Sequence, residues 1–141
     1  MTEIEKMRQW VQTFPGWNET LHIDYTGAVP GNTGLFPVGM EEVRRTEDVL
    51  GNVTVFCRCR FTLYRVTTGQ ADNTANAQWL LDFQDWVRQQ SALRLAPTFG
   101  DEPNRERLRA EKGKLKNASQ TGTGVYAVEL TAEFVKKFMV S

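Results

Sequence analysis

The run from Val53 to Val66 constrains the fold more than any other part of the chain. Val53, Val55, Cys57, Cys59, Phe61 and Leu63 alternate without a break with Thr54, Phe56, Arg58, Arg60, Thr62 and Tyr64. Successive side chains of a strand point to opposite faces, so this spacing predicts a long strand with a core face and a partly wet face. A strand of that length needs strand partners and an apolar layer to cover one side. The rest of the sequence supplies both. Tyr126, Val128, Leu130, Ala132 and Phe134 alternate with Glu129, Thr131 and Glu133 in a second strong strand. Leu21, Ile23 and Tyr25 alternate with Thr20, His22 and Asp24, which predicts a shorter strand over 19–27.

Two helices are expected as the cover. Thr2 with Glu5 forms a capping box, and Ile4, Met7, Trp10, Val11 and Phe14 follow at helical spacing until Pro15-Gly16, predicting a helix over 2–14. Asp72-Asn73-Thr74 offers N-caps for a second helix over 74–92, with Trp79, Leu80, Phe83, Trp86 and Val87 on one stripe and Gln78, Asp82, Asp85 and Arg88 opposite. Asp85 and Arg88 are spaced for surface pairing.

The remaining segments are read from punctuation. Gly27 to Gly39 holds four glycines and two prolines around Leu35-Phe36 and reads as a mobile loop. Val38 to Asp48 alternates weakly, and Gly51-Asn52 reads as a two-residue turn into the Val53 strand. Leu95 to Pro103 reads as a loop. Residues 105–118 suit helix or strand by composition; the Gly122-Thr123-Gly124 turn favours a strand and a hairpin, with Gly113 at a bulge. The expected architecture is one α+β domain over 1–141, a mostly antiparallel sheet of about five strands with two helices packed on it, in the order α-β-β-β-α-β-β.

Much chemistry is disfavoured by residue supply. His22 is the sole histidine; a hydrolase using His22 and Asp24 finds no serine in a nucleophile-elbow context, and an imidazole on a solvated strand face is the better reading. Cys57, Cys59 and His22 give at most three soft ligands where a structural zinc site takes four, so no metal is expected and the cysteines read as reduced, buried thiols. The glycine-rich stretches carry no dinucleotide or phosphate-loop pattern, so no cofactor is expected. The first residues lack a signal-peptide pattern, and no apolar run nears the roughly 18 residues of a membrane span, which predicts a cytoplasmic chain.

Lys plus Arg equals Asp plus Glu at 17 each, so no overall field draws nucleic acid. The local exception is Arg105, Arg107, Arg109, Lys112, Lys114 and Lys116, which keeps open an alternative as a small nucleic-acid-binding or regulatory module. Interleaved Glu106 and Glu111 and the lack of stacking aromatics favour pairing with an acidic stretch of another copy, such as Glu41, Glu42, Glu47 and Asp48. Trp17, Leu35 and Phe36 are candidates for the apolar part of such a contact, or for plugs of the domain's own core.

The stretches Trp79-Leu-Leu-Asp-Phe-Gln-Asp-Trp-Val-Arg-Gln-Gln-Ser, Ala96-Pro-Thr-Phe-Gly-Asp-Glu-Pro, Arg109-Ala-Glu-Lys-Gly-Lys-Leu and Gly124-Val-Tyr-Ala-Val-Glu-Leu resemble small proteins of prophage morphogenesis clusters. These are phage minor capsid or tail-completion proteins, and the element order is similar to that of tail terminator proteins of long-tailed phages. The resemblance implies a structural, non-enzymatic virion subunit without cofactor. It also implies self-association into a ring, as in hexameric terminators, and partners in the tail tube or the head-tail connector. No catalytic residue carries over.

Overall fold

Thr2 opens the chain as expected: its Oγ1 accepts the Glu5 backbone N–H at 3.3 Å, and the first helix, α1, runs over Glu3–Val11. The computed structural model describes residues 1–17, 20–24, 33–68, 74–118 and 123–140. Within them the order is α1, β1 (Leu21–Ile23), β2 (Thr33–Glu47), β3 (Val53–Thr68), α2 (Thr74–Ala92), a 3-10 turn at Pro103–Arg105, β4 (Arg107–Ala118) and β5 (Thr123–Phe138). This is the expected α+β fold, and the strand reading of 105–118 is correct for all but its first residues.

The strands form one sheet in the order β1-β2-β3-β5-β4. All neighbours are antiparallel except β1, which runs parallel to β2 over Leu21–Ile23. The β3–β5 pair is unbroken, from Val53 opposite Phe138 to Thr68 opposite Thr123. It places Cys57, Cys59, Phe61 and Leu63 beside Phe134, Ala132, Leu130 and Val128, all buried on the face that the helices cover. Burial drives the alternation: these side chains leave water at about 25 cal/mol per Å² of apolar surface.

The helices meet through aromatic rings. Trp10 of α1 stacks on Trp86 of α2 at 4.7 Å between centroids, and Phe14 meets Phe83 edge to face at 5.3 Å. Trp79 stacks on Phe83 at 5.5 Å and contacts Trp17 at 5.8 Å. Trp10 Nε1–H donates to Gln90 Oε1 at 3.1 Å, so that polar ring edge keeps a partner between the helices.

Three boundaries differ from expectation, the first being that α1 ends at Val11 rather than at Phe14. The loop read over Gly27 to Gly39 is strand from Thr33 onward, because Thr33, Gly34 and Leu35 pair with β1 on one side and with Arg65, Tyr64 and Leu63 on the other. Pairing on both sides overrides the weak strand preference of Gly and Pro. Pro37 and Gly39 are accommodated at a bulge, and Pro37 lies where β2 is an edge. Residues 27–32 of that loop, with Tyr25 of the first predicted strand, lie outside the described residues, as do Asp72, Asn73 and Gly122. The turn before β3 also shifts. The Gly51 N–H donates to the Asp48 carbonyl at 3.1 Å, so Val49 and Leu50 occupy the centre and Gly51, at φ +87°, takes the left-handed position after it. Asp48 Oδ1 accepts the N–H groups of Leu50 and Asn52, at 2.9 and 3.0 Å, which fixes the turn one step earlier than Gly51-Asn52.

Phe83 is fully buried at the centre of the aromatic cluster. Phe83→Ala is expected to lower unfolding free energy by about 3–5 kcal/mol, measured by urea denaturation. The Cys59 thiol is pushed up from 9.0 to about 11, by burial first and then by the charges of Glu3 and Cys57. The folded state therefore holds this proton more tightly than the unfolded chain. Its contribution to stability is full below pH 9 and disappears as pH rises through the window to about 11. Cys59→Ala should flatten the alkaline fall in stability relative to the parent protein, read by denaturation at stepped pH.

Candidate interaction surface

The sheet face opposite the helices carries a lattice of charges that the strand register builds. Glu41 on β2 accepts from Arg58 at 3.0 Å and lies 3.3 Å from Arg60, both on β3. Those arginines reach Glu133 and Glu129 on β5, at 3.9 and 3.5 Å. Arg109 on β4 closes on Glu133 at 2.9 Å, and Lys112 on Glu129 at 3.8 Å. The order acid, base, acid, base crosses four strands. Beneath these long side chains Thr131 is only 1% exposed although no helix covers it, so their stems act as its roof. Each exposed pair contributes about 0–1 kcal/mol, and the lattice fixes the face more than it stabilises the domain.

This geometry decides several candidate residues. Arg105 is paired with Glu102 at 2.8 Å and lies over the Phe56 ring, while Arg109 belongs to the lattice. Arg107 is exposed. Arg105, Arg109 and Lys112 are thus balanced within their own domain, and the side chains of Lys114 and Lys116 lie outside the described residues. Leu35 is fully buried and is a core residue rather than part of a surface. Trp17 is half-buried against Trp79, and Phe36 packs edge to face on Tyr64 at 5.1 Å on the lattice side of the sheet. Glu41 and Glu42 are exposed on β2, as are Arg105, Arg107 and Arg109 on the far side of the sheet.

His22 sits half-buried on β1, and Asp24 follows the strand at φ +54°, which removes the shared-face geometry that alternation implied. Among the described residues no group of three His, Cys, Asp or Glu is placed to hold a metal ion. Likewise, no helix among them is long and apolar enough to cross a membrane. A wide-open depression of about 1290 Å³ wraps β4, reaching from Leu81 and Arg88 on α2 to Arg44 and Phe56 across the sheet.

The two sides of the sheet are finished differently. On the β4 side, outward backbone groups are occupied: the Leu108 N–H donates to Ser91 Oγ at 3.1 Å, and the carbonyls of Ala110 and Glu106 accept from Gln84 and Arg94, both at 3.2 Å. Beyond the end of β4 a loop takes over. The Asp101 N–H donates to the Val135 carbonyl at 2.7 Å, and the Lys137 N–H donates to Asp101 Oδ2 at 2.7 Å. Gly100 allows this approach, since a Cβ there would lie 2.3 Å from the Val135 oxygen. Glu106 holds the loop by accepting the N–H groups of Phe99 and Gly100, at 2.8 and 3.0 Å.

On the opposite side, β1 covers β2 only as far as Leu35. From Pro37 to Glu47 every residue of β2 is exposed, and among the described residues nothing bonds its outer backbone edge. The turn at its end carries Val49 and Leu50 into water, at 102% and 77% exposure, beside exposed Phe138, Met139 and Val140. The Val140 N–H donates to Asn52 Oδ1 at 2.8 Å and holds the two segments together. Alternation did not reveal this apolar cluster because it lies on a turn and past the last periodic residue; the one available signal was Val49-Leu50 directly before Gly51-Asn52. The sequence matches no family model and no curated protein.

Proposed function

We propose that this chain is a structural virion-assembly subunit of a phage or prophage, of the tail-terminator, minor-capsid or head-tail joining kind. It works by binding copies of itself in a ring and by contacting a tail tube or connector, and it carries out no reaction. The observation that supports this reading best is the sheet end where Val49, Leu50, Phe138, Met139 and Val140 are all exposed on two segments joined by the Val140 N–H bond to Asn52, beside charged β2. Grouped apolar side chains in water are characteristic of contact surfaces, and a polar surround sets register and selectivity. A virion subunit made in the bacterial cytoplasm and then incorporated into a particle has need of such a surface.

The basic stretch at 105–116 does not favour nucleic acid over this reading. Arg105 and Arg109 are engaged by Glu102 and Glu133, and a phosphate backbone would have to displace those carboxylates. Absolute mass across a concentration series, followed by negative-stain imaging, tests the proposal. Rings of about six copies, alone or on purified tail tubes, are expected. A strict monomer that forms no ring and binds neither tail tubes nor connectors would overturn it.

A further inference from the structure

We infer that the open edge of β2 is a self-complementary contact, at which two copies of this chain pair antiparallel about a two-fold axis between Val43 and Arg44, so that Glu42 of each copy lies beside Arg45 of the other. The inference is independent of the phage reading, since it rests on one strand and its charges. The edge is available: among the described residues its outer backbone has no partner beyond Leu35, whereas side chains and the 99–101 loop occupy the opposite side of the sheet. Exposed strand edges invite pairing with another strand.

The choice of a second copy as occupant comes from charge order. Along β2 the sequence Glu41-Glu42-Val43-Arg44-Arg45 places two acids before one apolar residue and two bases after it. Rotating a strand by two-fold symmetry reverses its direction, so the acidic half of one copy lies beside the basic half of the other, twice. A parallel arrangement in register would set acid against acid. Val43 and Met40, 51% and 54% exposed, supply apolar contact near the axis. Pro37 and the bulge at Pro37/Gly39 stop regular pairing on one side, which confines the contact to residues 40–47, and the bulge at Glu42/Arg44 sets the local twist. Within one chain Glu42 already binds Arg45 at 2.7 Å; exchange of that partner for the same residue type of a second copy leaves the charges balanced.

A two-fold contact closes on itself, so any ring needs a separate head-to-tail surface, for which the apolar cluster at the Val49-Leu50 turn remains free. The test is a charge exchange at two exposed positions, Glu42→Arg in one variant and Arg45→Glu in another, with circular dichroism confirming that each is folded. The unaltered protein is expected to show a dimer, or an even-numbered assembly, by light scattering. Each variant alone should self-associate about tenfold more weakly or worse, and an equimolar mixture of the two should recover the pairing as a heterodimer. A monomeric parent protein would overturn the inference. So would an assembly that neither reversal weakens, or a mixture that fails to recover; a parent ring unmoved by both reversals would do so while leaving the ring reading intact.

Discussion

The β3–β5 pairing is the constraint on which the rest depends. Its register carries each buried side chain of one strand beside a buried side chain of the other, from Cys57 to Leu63 and from Phe134 to Val128 in turn, without a bulge. A slip of β5 by one residue would turn Leu130 and Phe134 out to the charged face and bring Glu129 and Glu133 into the core. Both the helix layer and the charge lattice therefore follow from one register. The aromatic cluster then holds α1 against α2, and so ties a segment near the start of the chain to one in its middle.

Where periodicity was long, the sequence disclosed the structure. The Val53 strand, the final strand and α2 each present a strong repeat over several turns or pleats, and burial follows it. Residues 33–37 were hidden because Gly34 and Pro37 disfavour strand locally, and only pairing with Arg65 to Phe61 of β3 makes them one. The turn at Val49-Leu50 was hidden for a related reason: the Asp48 carboxylate selects it by accepting N–H groups, a local competition that apolar pattern does not register.

The candidate surface was legible only in part. Glu41 and Glu42 were picked out as accessible acids, yet the role of Glu41 in joining Arg58 to Arg60 depends on which strand neighbours β3. Leu35 looked like a loop residue because of its glycine and proline neighbours and is core because β2 begins before it. The basic stretch looked like a free charge run because its partners, Glu102 and Glu133, are supplied by a loop and by another strand. Apart from Arg105 with Glu102, three residues apart, these pairings join distant parts of the sequence.

The functional reading turns on an asymmetry: one side of the sheet is sealed by Ser91, Gln84, Arg94 and Asp101, and on the other, among the described residues, the outer edge of β2 has no backbone partner beyond Leu35. Amide hydrogen exchange on dilute protein, resolved to individual residues, tests this most directly. Leu108 and its neighbours in β4 should exchange slowly, close to β5, while the outward amides of residues 40–47 exchange as fast as those of the Val49-Leu50 turn. Equal protection of the two edges in dilute protein, or faster exchange in β4 than in β2, would contradict the account.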